Sequence, residues 1–140
     1  WDAIRAGALE AGREADLSTW RVAREIFVAE TSAEARKHAL DGVMARDFQD
    51  YFLRLLPKVG MLQLLKNDPN MADSDVTMEY LVDNLFIVGN VDEVTQKLND
   101  LKGEVGQFGT LLAMGHEWDP EGAWHQSMSL LKNEVLPNLS

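Results

Sequence analysis

The stretch FIVGNVDEVTQKLNDLKGEVGQFGTLLAMGHEW, residues 86–118, constrains the fold more than any other part of the chain. It divides into a short apolar run, a turn, a helix-length amphipathic segment, a second turn and a second apolar run. In LFIVG every position is apolar, the pattern of a strand covered by helices on both faces of a parallel sheet. Asn90 stands where it can cap the next helix, Asp92 and Glu93 complement the helix dipole, and Val91, Val94, Leu98, Leu101 and Val105 share one face. Gly103 and Gly106 are the stop signals, and FGTLLAMG repeats the fully buried strand pattern. Two such strands joined through one helix make a parallel βαβ unit.

The rest of the chain supplies the same kinds of element. Trp1, Ile4, Ala8 and Leu9 share a helical face that ends near Gly12, and Ile26, Phe27, Val28 and Ala29 form a β-type run that ends near Glu30. Thr31 opens TSAE, a capping box with Glu34, and a helix is predicted over residues 31–56 with Ala35, Ala39, Val43, Phe48, Phe52 and Leu55 as its buried stripe and Pro57 as its stop. Residues 57–75 carry two prolines, a glycine, NDPN turn chemistry and an apolar cluster without period, so they read as a long irregular connection. A short helix is predicted from about Asp75 through VTMEYLVD. A last helix with Trp124, Met128, Leu131 and Val135 on one side precedes Pro137.

The outcome is a helix-rich α/β chain with about three short parallel strands. Such a sheet has two bare edges of buried-type sequence, which natural proteins do not normally leave open. Together with a start at Trp1 inside a helical pattern and without an initiator Met, this predicts that the chain is a piece of something longer.

Composition narrows the function classes. The 140 residues, 46% of them hydrophobic, support one domain and little more. A formal charge of -10 with scattered basic residues opposes binding to nucleic acid or to an anionic membrane. There are no cysteines, no two histidines at i,i+4 spacing and no HExxH, so no metal site is expected. GEVGQFG follows a helix rather than a strand and reads as a C-cap and turn, not as a nucleotide loop. No apolar run approaches a membrane span and no signal-like segment opens the chain, so a soluble cytoplasmic protein is expected.

The order and spacing of WRVAREIFVAETSAEAR, VGNVDEVTQKLNDL, VGQFGTLLAMGHEW and SMSLLKNEVLPNL resemble the C-terminal part of the bacterial luciferase-like, flavin-dependent monooxygenases. The resemblance covers essentially the whole chain. It implies the C-terminal part of a (β/α)8 TIM barrel, with residues 1–140 one segment of one barrel domain truncated at its N-terminus. It implies oxidation of a small apolar organic substrate, of the terpene, ketone or aldehyde class, by O2 and reduced FMN supplied by a separate flavin reductase, in a homo- or heterodimer. The residues that grip the flavin phosphate would lie upstream of Trp1. Residues 57–75 fall where the family carries a loop covering the active site. Two other readings keep the fold: a deazaflavin-dependent oxidoreductase, and a non-catalytic partner subunit of a luciferase-like heterodimer. A free-standing helical interaction module is the reading outside it.

On that resemblance His116, directly after the last strand, is the candidate to hydrogen-bond flavin or a peroxide oxygen, with a helix cap or solvent contact as its plain alternative. Glu30, at the end of the first strand, is the candidate carboxylate; Thr31 is explained by capping. Met61, Leu62, Leu64, Leu65 and Met71 either form the underside of a lid over an apolar substrate or pack as ordinary core. Trp118 either walls the pocket or packs. His38 and His125 read as surface or interface residues.

Overall fold

The computed structural model describes residues 2–106 and 108–139. At its centre the extended segment 21–28 breaks once, at Glu25, into β1 (Arg21–Arg24) and β2 (Ile26–Val28). β1 pairs in parallel with β4 (Thr110–Ala113), Arg21 opposite Thr110, and β2 pairs in parallel with β3 (Ile87–Gly89), Ile26 opposite Ile87. The two pairings take opposite sides of the segment: the Met114 N–H donates to the Arg24 carbonyl at 2.9 Å, and the Ile87 N–H donates to the Glu25 carbonyl at 2.8 Å. Thus the two strands joined by helix α6 (Val91–Val105) do not pair with each other, as the sequence led us to expect; they flank the segment from the first run. Spacing along the chain fixes which strands are parallel, whereas neighbours are chosen by the side-to-side packing of all of them.

Side-chain alternation at β2 and β3 divides the interior in two. Phe27, Phe86 and Val88 face one cluster with Ala35, Ala39, Met44, Phe48, Leu81 and Trp124. Ile26, Val28 and Ile87 face the other, with Val94, Leu98, Leu101, Leu130 and Val135. Both faces of β2 and β3 are therefore buried, which explains their uniformly apolar sequences. β4 differs from its predicted pattern. Leu111 and Ala113 pack on the second cluster, but Thr110 and Leu112 lie on an uncovered face, and Leu112 is 43% exposed.

The helix predicted over residues 31–56 is interrupted. Thr31 does cap α2 (Ser32–Asp41), its hydroxyl accepting from the Glu34 N–H, but α2 stops at Gly42 and resumes as α3 (Val43–Asp47). A wide π-type turn, Phe48–Phe52, then leads into α4 (Leu53–Leu55). A Cβ at Gly42 would stand 2.5 Å from the His38 carbonyl oxygen, so the bend needs a residue without a side chain. Periodicity survives such a break because the apolar stripe continues on both sides of it. α5 (Met78–Asn84) starts later than predicted, capped by Thr77 rather than opened near Asp75, which lies in a single 3₁₀ turn.

Asn90 caps α6 through a full reciprocal box with Glu93, and Gly106, at φ 83°, closes it. α7 (Glu121–Leu130) continues through a π-type turn and a 3₁₀ turn that contains Pro137. In α1 (Asp2–Glu10) no described residue is buried, and Ile4 and Leu9 of the predicted face are exposed; Trp1, assigned to the same face, lies outside the described residues. No helix among the described residues is long and apolar enough to cross a membrane.

Candidate active site

The break at Glu25 has a chemical consequence. A carboxylate stands between β1 and the apolar strand β2, and burying it requires partners. They come from two distant elements. His116, in the loop between β4 and α7, places Nε2 at 2.7 Å from Oε2 of Glu25 and Nδ1 at 2.8 Å from Oδ2 of Asp47, the last residue of α3. The histidine and Glu25 side chains are 8% and 14% exposed, and Asp47 opens further towards solvent. Arg46 then joins Asp47 (3.2 Å) to the exposed Glu117 (2.8 Å). On its remaining side the His116 ring stands 5.9 Å from Trp124 of α7.

The charges set the protonation. The Glu25 hydrogen bond raises the His116 pKa above its ordinary value, burial opposes this, and Asp47 adds to the rise. For Asp47, burial pulls upward, but the hydrogen bonds from His116 and Arg46 outweigh it and lower the pKa. Both carboxylates favour the protonated form of the imidazole, in which each ring N–H has an acceptor.

Glu25 also lines a cavity of about 430 Å³. Its walls are mainly apolar: Ala23, Phe48, Leu64, Leu65, Leu85, Phe86 and Met114, with Arg24 and Asn67 as the other polar contributors. That size and lining are those of a site for a small organic molecule. The Phe48 that lines it begins the π-type turn directly after Asp47, so the same irregularity shapes the wall and aims the carboxylate.

The residues singled out from the sequence separate in space. His116 stands behind the cavity wall, in contact with Glu25. Leu64 and Leu65 line the cavity, whereas Leu62 is buried in the first core cluster, Met71 packs against that cluster and Met61 is 44% exposed. Glu30 is exposed and accepts from Gln126 at 3.1 Å. Trp118 packs edge-on against His125 at 4.9 Å, and the ring of His38 stacks on Phe27 at 5.1 Å. Glu25 and Asp47 were not anticipated. Glu25 left one legible signal, an acid directly before the apolar run IFVA; Asp47 looked like any charge on the polar side of a helix.

Comparison with known proteins identifies relatives of this chain. No family model matches the chain. It is 34% identical to 3,6-diketocamphane 1,6-monooxygenase of Pseudomonas putida, over 99% of this chain and 37% of that protein. It is 30% identical to 2,5-diketocamphane 1,2-monooxygenase 2 of the same organism, over 99% of this chain and 39% of that protein. The solved oxygenating constituent of 3,6-diketocamphane monooxygenase, a type II Baeyer-Villiger monooxygenase in complex with FMN, superposes with a TM-score of 0.88 at 33% identity. That match covers 100% of this chain and 39% of that one.

The chain is homologous to the diketocamphane monooxygenases. These relatives are luciferase-like flavin monooxygenases, the group that the sequence motifs resemble. The chain spans less than two fifths of their length. The cavity fits part of what such an enzyme holds. Its apolar wall suits a compact hydrocarbon body, but it has no cradle for the FMN phosphate. Arg24 is the one cation among the described lining residues, and its guanidinium donates to the Ala23 carbonyl at 2.8 Å. Among the described lining residues the cavity therefore offers apolar walls and one carboxylate, without a set of cations for a phosphate.

Proposed function

We propose that this chain is the substrate-binding portion of a flavin-dependent monooxygenase, and that the whole protein uses reduced FMN and O2 to oxidise a small apolar terpene, ketone or aldehyde. The cavity carries this reading: an apolar space of about 430 Å³ with a single acid and imidazole cluster behind it, in a fold shared with an FMN-bound diketocamphane monooxygenase. Leu64 and Leu65, from residues 57–75, line this space, which supports reading that stretch as a covering loop. The FMN phosphate would be held by parts of the enzyme beyond residues 1–140, and reduced flavin would come from a reductase.

A (β/α)8 barrel is the matching architecture. Each described strand pairs on one side only, so β3 and β4 both have a hydrogen-bonding edge that further strands of a closed sheet would fill. Residues 1–140 would then be its C-terminal segment.

The test uses the full-length protein with reduced FMN, air and camphor, followed by mass spectrometry. The expected result is a product heavier by one oxygen atom that forms only with reduced FMN and O2. Consumption of a reduced deazaflavin without oxygen incorporation would replace this reading with the hydride-transferring one.

A further inference from the structure

His116 joins three separate parts of the chain, and each of them supplies a wall of the cavity. Glu25, on Nε2, is itself a lining residue; Asp47, on Nδ1, directly precedes Phe48; and Met114 stands just before His116 in the loop that leads to α7. The two carboxylates are not equivalent. Glu25 has no other hydrogen-bond partner among the described residues, and its side chain is 14% exposed. Asp47 is more open, at 34%, and keeps Arg46 at 3.2 Å. A carboxylate with a cation and water at hand loses a partner at less cost than a nearly buried one without a second partner.

We propose that His116 is a pH-operated clasp on this wall: charged, it ties Glu25 and its own loop to Asp47; neutral, it keeps Glu25 and lets go of Asp47, freeing the π-type turn that carries Phe48. This rests on the monooxygenase reading only for taking the cavity as a substrate site. The proton that leaves is the one on Nδ1, which passes to water on the solvent-facing side of Asp47, while Nε2–H stays on Glu25. Nδ1 then turns a lone pair towards a carboxylate oxygen, and the contact becomes repulsive. The polar contact left between the loop and α3, among the described residues, is the exposed Arg46–Glu117 pair, and such pairs hold little. In the turn Phe48–Phe52 only Phe48 is buried, so the tether of the preceding Asp47 is the second of its two anchors. The groups that face the ring are Glu25 from the strand break and Asp47 from α3, with Arg46 and Glu117 one contact further out. α7 presents the Trp124 ring, and its Glu121 and His125 pair with each other at 3.3 Å. The Glu25 hydrogen bond, joined by Asp47, outweighs burial and favours the charged ring. The clasp is therefore closed below the ordinary imidazole range and opens as pH climbs through a raised value.

The experiment uses the full-length protein without flavin or substrate, from about pH 5 to about pH 10. Ring carbon and nitrogen shifts of His116 give its charge and its neutral tautomer. Hydrogen exchange reads the turn at Leu53, whose N–H donates to the Phe48 carbonyl, at equal pH in the unaltered protein and in Asp47→Asn, with α6 as internal reference. An amide at this position accepts from Nδ1–H through its oxygen and donates to bare Nδ1 through its NH2, so the variant stays clasped in both forms. The neutral ring should carry its proton on Nε2. Above the titration Leu53 should exchange about tenfold faster in the unaltered protein than in Asp47→Asn, the value of one hydrogen bond to a charged group. Below it the difference should vanish or reverse. A neutral ring protonated on Nδ1, a ring that never titrates, or equal exchange above the titration would each overturn the proposal. The tautomer is read in the unaltered protein, so the test survives a variant that folds poorly. No substrate or turnover enters, so the clasp and the oxygenase reading can fail separately.

Discussion

Ser127 offers the sharpest test of how α7 is held against the strands. β4 ends where the central segment continues, so the Val28 N–H points to the side that β4 has vacated and would have no ladder partner. It donates instead to the Ser127 hydroxyl, at 2.8 Å, across ninety-nine positions of sequence. Val28 is 1% exposed and Ser127 0%, so water cannot take the place of the oxygen without a rearrangement. Ser127→Ala leaves a buried donor unpaired, which costs about 1–3 kcal/mol, and the lost atom leaves little additional void. Urea denaturation followed by circular dichroism should therefore show a lower midpoint at an unchanged slope. Ser129→Ala, on the exposed side of the same helix, should stay within about 0.5 kcal/mol. Hydrogen exchange of the Val28 amide gives a local readout and should accelerate in Ser127→Ala. A change below about 0.5 kcal/mol with Val28 still protected would refute the reasoning, because the donor would then have another partner.

Asn90→Ala removes one half of a reciprocal cap and should destabilise the fold by about 1 kcal/mol in the same denaturation assay. Trp124→Ala empties a 3% exposed site packed edge-on against Phe27 and should cost about 3–5 kcal/mol, while also broadening the His116 ring resonances that Trp124 faces. Gly109→Ala would drive a Cβ into the Ser18 carbonyl, which is backbone and cannot swing away, so the β1–β4 pairing should loosen and its amides lose exchange protection. The pH profile of stability has a definite sign at both ends. The raised His116 pKa contributes stability that is complete below about 6.5 and lost as pH climbs through the folded value, and the lowered Asp47 pKa contributes stability present above about 3.9 and lost as pH falls through its folded value. Denaturation midpoints measured across this range should be highest between those limits, and His116→Asn should flatten the alkaline decline.

Local features were legible residue by residue. Asn90 with Glu93, Thr31 with Glu34 and the apolar runs at β2 and β3 act through contacts a few positions apart or through simple burial, so composition and spacing report them directly. Legibility failed at Gly42, where a close approach to the His38 carbonyl breaks the helix although the stripe of Ala35, Ala39 and Val43 runs on. It failed again at β4, whose apolar residues looked buried on both faces while Leu112 lies open.

The sequence by itself determined the runs of β2 and β3, the caps of α2 and α6 and the apolar stripe of α6, because these depend on periodicity and on contacts a few positions apart. Tertiary structure alone decided that β3 and β4 flank the Glu25 break, and that Glu25, Asp47 and His116 meet. The physical reason is range. A buried carboxylate is tolerated only if some distant group neutralises it, and which group arrives is settled by the packing of α3, α7 and the central strand rather than by any neighbour in the chain.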